Sequence, residues 1–244
     1  MSTSPFWVSA FLDLAPDHFE PGMTFWSGVT GYDVSPPRGE LGEFVSLVPP
    51  DGDGYLRAQR LEEGADRIHL DLHVEDPRRA ADRAGALGAT EVADHGYVVM
   101  RSPGGLTFCF VSHHEERRPS PTTWSDGHVS MLDQVCIDIP SSAFEDECGF
   151  WEEVTGRQAT SAPPHEEFRR LTRPEAQALE LLVQRLDEDA GGVRAHFDLA
   201  TSDREAEIAR HVGLGASRIQ DHDWWTVMSD PVGREYCITR RTPR

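Results

Sequence analysis

The chain contains itself twice. Phe25-Trp26-Ser-Gly-Val-Thr-Gly31 returns as Phe150-Trp151-Glu-Glu-Val-Thr-Gly156, 125 residues on. Arg67-Ile-His69-Leu-Asp71-Leu72 returns as Arg194-Ala-His196-Phe-Asp198-Leu199 at an offset of 127, and Leu87-Gly88-Ala89 and Asp94-His95 return at the same offset. Met100, Pro103, Gly105, Phe108 and Cys109 match Met228, Pro231, Gly233, Tyr236 and Cys237 at 128. Offsets that drift by single residues mark a tandem duplication with small loop changes, and such a repeat limits the architecture more than any composition can. At 244 residues each copy is long enough to bury its own core. The expected copies are 1–111 and 128–244, joined by a polar linker at 112–127 that holds two prolines. His113 and His114 fall in that linker and read as solvated residues.

Each copy divides again. Alternating runs open the halves at Val8 to Leu14, IHLDLHV, Val129 to Ile139 and AHFDLAT, and period two argues strand. Arg/Ala/Glu-rich stretches that end in glycine follow, as helices with glycine stops. Asp76 and Ser202 or Asp203 suit helix N-caps. Short runs such as GYVVMRSP and LTFCFV then read as strands between turns. The repeating unit is strand, helix and about three strands, present four times.

Successive side chains on a strand face opposite ways. Ala10, Leu12 and Leu14, and in copy two Val135, Ile137 and Ile139, form apolar faces that suit helix packing. The opposite faces carry Ser9, Phe11 and Asp13; His69, Asp71 and His73; Gln134, Cys136 and Asp138; and His196, Asp198 and Ala200. Two readings stay open here. The polar faces meet bulk water, as one side of many sheets does, or a curled sheet gathers them into a cup around a small molecule.

Paired strand-helix-three-strand units with His-x-Asp-Leu and Pro-x-Gly-x-x-Phe/Tyr-Cys signatures resemble the vicinal oxygen chelate superfamily of glyoxalases, bleomycin-resistance proteins, fosfomycin-resistance enzymes and extradiol dioxygenases. The tandem glyoxalase-like subgroup of actinobacterial type is the nearest resemblance. It implies an α+β fold of two glyoxalase-like domains, each two βαβββ units forming an eight-stranded cup with its helices outside. Carried over residue by residue, it places the family's metal-ligand positions at Ser9, Gln59, His69 and Cys109 in copy one, and at Gln134, Gln184, His196 and Cys237 in copy two. The family's metalloenzymes use histidine with carboxylate or glutamine there, since a divalent ion with open positions favours hard oxygen beside imidazole. Neither copy keeps a carboxylate at those positions. The expectation is therefore no metal cofactor and no extradiol dioxygenase chemistry. If an ion does bind, His196, Gln134, Gln184 and Cys237 are the better set, for a lyase or isomerase of glyoxalase type.

The remaining candidates serve a metal-free site. His196 with Asp198, and His69 with Asp71 and His73, place imidazole beside carboxylate, an arrangement that tunes a general base or simply braces the sheet. Asp13, Asp138 and the aromatic Trp224 complete the expected ligand-binding residues. The four cysteines show no Cys-x-x-Cys spacing and read as buried thiols. The functional expectation is a protein that binds a small organic ligand, sequestering or transforming a natural product or metabolite, with a non-catalytic scaffold as the bland alternative.

Composition narrows the partners. A formal charge of −19 repels phosphate backbones and anionic headgroups, so neither nucleic acid nor membrane is expected. All 23 basic residues are arginine, which excludes lysine Schiff bases and a Walker-type phosphate loop. No apolar run approaches a membrane span, and the opening residues lack a basic signal-peptide region, so a cytoplasmic protein is expected, as monomer or homodimer.

Overall fold

A computed structural model describes residues 4–189 and 191–243. The four expected units are present. The first is β1 (Trp7–Leu14), α1 (Pro16–Thr30), β2 (Asp33–Val34), β3 (Phe44–Val48) and β4 (Leu56–Arg60). The second is β5 (Arg67–His73), α2 (Pro77–Ala86), β6 (Thr90–Asp94), β7 (Val98–Arg101) and β8 (Thr107–Val111). After the short β9 (Thr122–Thr123), the third is β10 (Val129–Ile139), α3 (Phe144–Thr155), β11 (Ala159–Ala162), β12 (His165–Leu171) and β13 (Glu180–Arg185). The fourth is β14 (Arg194–Thr201), α4 (Arg204–Gly213), β15 (Ser217–Asp221), β16 (Trp225–Ser229) and β17 (Glu235–Thr239).

Each copy builds one mixed sheet, so the fold is α+β. Copy one is eight-stranded in the order β2-β3-β4-β1-β5-β8-β7-β6. Copy two repeats it as β11-β12-β13-β10-β14-β17-β16-β15, with β9 added against β10 as a ninth strand. The two parallel pairs, β5 with β8 and β14 with β17, bring the His-x-Asp strands beside the cysteine strands.

Helix ends follow from local chemistry. The Trp-x-x-Val-Thr-Gly motif closes α1 and α3, and Gly31 and Gly156 take the left-handed conformation that releases the chain, at φ 72° and 66°. Asp76 and Asp203 cap α2 and α4 by accepting from the Arg79 and Ala206 amides. Between the alternatives Ser202 and Asp203, the aspartate is the cap. The 112–127 stretch is not wholly loop: β9 pairs Thr122 and Thr123 with Ser130 and Val129.

Backbone proximity sorts the chain into two compact units that cut across the copies. One holds the chain up to Phe11, Ile68–Arg117 and Val135–Ala195. The other holds Leu12–Arg67, Arg118–Gln134 and the chain from His196 onward. In the first unit Trp151 packs edge-on to Phe108 and donates to Glu147 at 3.0 Å, whose carboxylate also accepts from the Gly104 amide. In the second unit Trp26 packs edge-on to Phe197 and Tyr236 and donates to Asp230 at 3.1 Å. The repeated tryptophan thus plays the same part twice: a buried ring whose N–H finds an acid. No helix among the described residues is long and apolar enough to cross a membrane.

Candidate functional site

Both faces of β1 are buried along its full length, and β10 is buried except at Val129. The polar faces of these two strands are therefore shielded from bulk solvent, which argues against the first of the two readings the strand pattern left open, although His196 on β14 is only part-buried. Ser9, Asp13, His69, Asp71, His73, Gln134, Asp138 and Asp198 are all buried.

In the first unit, β5 sets His69, Asp71 and His73 on one face and β8 places Cys109 directly opposite Asp71. The His69 ring lies flat on Phe11, centroids 4.4 Å apart. Ligand atoms of His69, Asp71 and Cys109 all lie within 4.8 Å of one another. The Asp71 carboxylate sits 3.7 Å from His69 Nε2, beyond hydrogen-bonding distance. Ser9 Oγ is 2.9 Å from His73 Nε2 and so is occupied within the face. Trp7, on the same face of β1, buries its indole N–H with no acceptor.

Copy two spreads its candidates over both units. In the first unit the Cys136 thiol lies 3.7 Å from Gln184 Oε1 and 3.9 Å from Asp138, and Arg194 approaches Asp138 at 3.8 Å. In the second unit His196 Nε2 is 3.4 Å from Asp198, and Cys237 stands opposite Asp198 in register. Gln134 is buried with its side-chain carbonyl oxygen unpartnered. Asp13, also in this unit, is held by Arg67 at 2.8 Å. Arg67 and Arg194 begin their strands at matching positions of the repeat, so the ends of both polar faces are neutralised by arginine.

Gln59 is part-buried on β4, opposite Phe44. Trp224 is 54% exposed just ahead of β16, while Trp225 stacks on His222 at 4.5 Å. Cys136 belongs with these residues although sequence reasoning placed it only on a strand face. Its signal was parity alone, because the matching residue of copy one is Phe11. All four cysteines are buried and none is in a disulfide. Burial also pushes the Cys148 thiol up, but it lies in α3, off these faces.

The donor set of the first unit discriminates between kinds of divalent ion. Imidazole, carboxylate and thiol in mutual reach fit a thiophilic ion of the zinc type. They do not form the two-histidine, one-carboxylate set of non-haem iron oxygenases. The carboxylate comes from Asp71, two residues beyond the family position at His69.

The glyoxalase-like domain family model matches residues 9–111 and 134–239. No protein of curated function matches the chain in sequence. Among solved structures, a triple mutant of 4-hydroxymandelate synthase from Streptomyces coelicolor superposes with a TM-score of 0.65 at 14% identity, covering 98% of this chain and 94% of that one. The 2,2',3-trihydroxybiphenyl 1,2-dioxygenase of Sphingomonas wittichii gives 0.63 at 16%, covering 97% and 90%. The Mn(II)-bound glyoxalase of Novosphingobium aromaticivorans gives 0.60 at 16%, covering 97% and 81%. At these identities the likeness is one of fold. With two matched segments spanning most of its length, the chain belongs to the glyoxalase-like domain family, as a tandem member of the vicinal oxygen chelate fold.

Proposed function

We propose that the chain binds a small organic molecule against the polar strand faces. The observation that carries this reading is that buried polar atoms on those faces lack partners: Trp7 Nε1 on β1 and, separately, Gln134 Oε1 on β10. Buried polar groups are ordinarily satisfied, and each exception calls for something that completes it. A ligand with a carbonyl or hydroxyl group and a flat apolar part suits the unpaired Trp7 donor on the strand face that also carries Phe11. The structural neighbours named for hydroxymandelate and trihydroxybiphenyl chemistry support an aromatic ligand by analogy of fold. Sequestration or conversion of a natural product or metabolite is the role that follows, and the −19 charge argues against nucleic acid. A screen of aromatic carboxylates and phenols by thermal shift and native mass spectrometry tests the reading. Binding weakened at least tenfold by Asp71→Ala or Asp198→Ala is expected; binding equal in all three proteins argues for a scaffold.

A second reading has its own observation, the His69–Asp71–Cys109 set. Those three residues would hold a zinc-type ion, which when bound polarises a ligand oxygen. Elemental analysis of protein purified without an affinity tag decides it: one zinc per chain, lost in His69→Ala, supports this reading, and a metal-free chain that takes up no zinc on titration removes it.

A further inference from the structure

The end of β5 carries an arrangement that ligand binding alone does not explain. Ser9 Oγ lies 2.9 Å from His73 Nε2. Across the ring, Nδ1 lies 2.9 Å from the His113 carbonyl oxygen and 2.8 Å from Glu115 Oε2. Both of those neighbours are acceptors, so Nδ1 carries the hydrogen. It points at the His113 carbonyl, and the Glu115 oxygen sits beside that axis, out of line. In the neutral ring Nε2 is then a lone pair, and the Ser9 hydroxyl donates to it.

An imidazole with Nδ1–H fixed by acceptors and a serine hydroxyl on Nε2 is the geometry that activates a serine oxygen. We infer that Ser9 is an acyl acceptor, with His73 as its general base and the His113 carbonyl and Glu115 as positioning groups. The substrate class is a small carboxylic ester with a flat apolar group, set by Trp7 and Phe11, which flank Ser9 on its face of β1. Ser9 Oγ bonds to the ester carbonyl carbon as its proton passes to His73 Nε2. The intermediate expels the alcohol, which takes that proton, and water then repeats the sequence to release the acid and restore Ser9.

A buried serine and histidine can also simply satisfy each other. Two observations reach further. Copy two places Gln134 and Ala200 at the matching positions, so this fold closes the same strand pair without serine or histidine. Trp7 also holds an N–H with no acceptor on the same face, a donor for the developing oxyanion. Ser9 and His73 are fully buried, and Phe6 packs edge-on to His73 beneath the exposed, stacked ring of His114. Phe6, part-buried between the His73 and His114 rings, is the side chain whose removal would uncover this end of the face.

The inference rests on the small-molecule reading above, so its test separates the two. The full chain is treated with an alkyl fluorophosphonate and mapped by peptide mass, and p-nitrophenyl acetate hydrolysis is followed in parallel. One adduct on Ser9 is expected, absent in Ser9→Ala, formed about 100-fold more slowly in His73→Gln, and faster in Phe6→Ala. The Phe6→Ala arm stays informative if His73→Gln does not fold. No adduct on Ser9 in either wild type or Phe6→Ala, or labelling unchanged in a folded His73→Gln, overturns the inference. Nitroacetanilide, the amide counterpart, reports binding by thermal shift: binding without a Ser9 adduct overturns the acyl chemistry alone, and neither overturns both.

Discussion

Glu207 is a heavily engaged acid. Fully buried in α4, it accepts from Arg210 at 2.7 Å and His128 at 2.7 Å and contacts His211 at 3.0 Å. Burial alone would raise its carboxyl, but the hydrogen bonds from Arg210 and His211 outweigh it and hold the group well below the usual range. His128 shows the same contest: burial would lower it, while Glu207 and Asp126 keep it raised. Removing one partner from a buried charge group leaves the others unpaired, so Glu207→Gln should cost about 3 kcal/mol in urea unfolding at neutral pH. The signs of the pH dependence differ. Glu207 is lowered on folding, so its contribution is complete above the ordinary carboxylate range near 4.5 and is lost as pH falls below it. His128 is raised, so its contribution is complete below 6.5 and is lost as pH rises through its elevated value. Unfolding free energy measured from pH 4 to 9 should therefore fall at both ends, and His128→Ala should flatten the alkaline side only. None of this cluster was legible in the sequence, because His128 and Glu207 are 79 residues apart and meet only through tertiary packing.

At the scale of elements, the repeated glycines are where sequence and conformation agree most closely. Gly31 and Gly156 end their helices at positive φ, where a Cβ is strained. Gly31→Ala and Gly156→Ala should each lower stability by about 1 kcal/mol. Gly85 in α2 is the contrast: it has no positive φ, and an added methyl meets no atom within 4 Å. Gly85→Ala should raise stability by about 0.5 kcal/mol, and thermal unfolding of the three variants checks both signs. The strands were legible because parity sorts polar from apolar residues without any knowledge of neighbours. Adjacency was not. That Ser9 meets His73, and that Asp71 rather than another acid stands beside Cys109, depends on β1 lying next to β5 and β5 next to β8. Local pattern carries no such pairing. The same limit applies to the 112–127 stretch, where Thr122 and Trp124 carry neither period nor charge signal, yet β9 pairs with β10 and Arg210 lies 3.5 Å over the Trp124 ring.

Across the whole molecule, the duplication predicts two like sheets but not how their helices share cores. The tryptophan of each first-half helix packs with aromatic residues from a second half of the other copy, so each compact unit mixes both copies. A helix sequence shows an apolar stripe without naming what covers it. The polar faces are the counterpart to those cores: largely buried, with Trp7 Nε1 and Gln134 Oε1 unpartnered, a cost in stability for which the proposed binding role would account. Asp71 tests that explanation most directly. If its carboxylate is kept for a ligand or ion, Asp71→Asn should raise the free energy of unfolding of the ligand-free chain by about 1 kcal/mol, since it removes a buried charge from which His69 Nε2 stands 3.7 Å away. If the His69–Asp71 pair instead braces the sheet, the same substitution should lower it by about 3 kcal/mol, and that result would contradict the account.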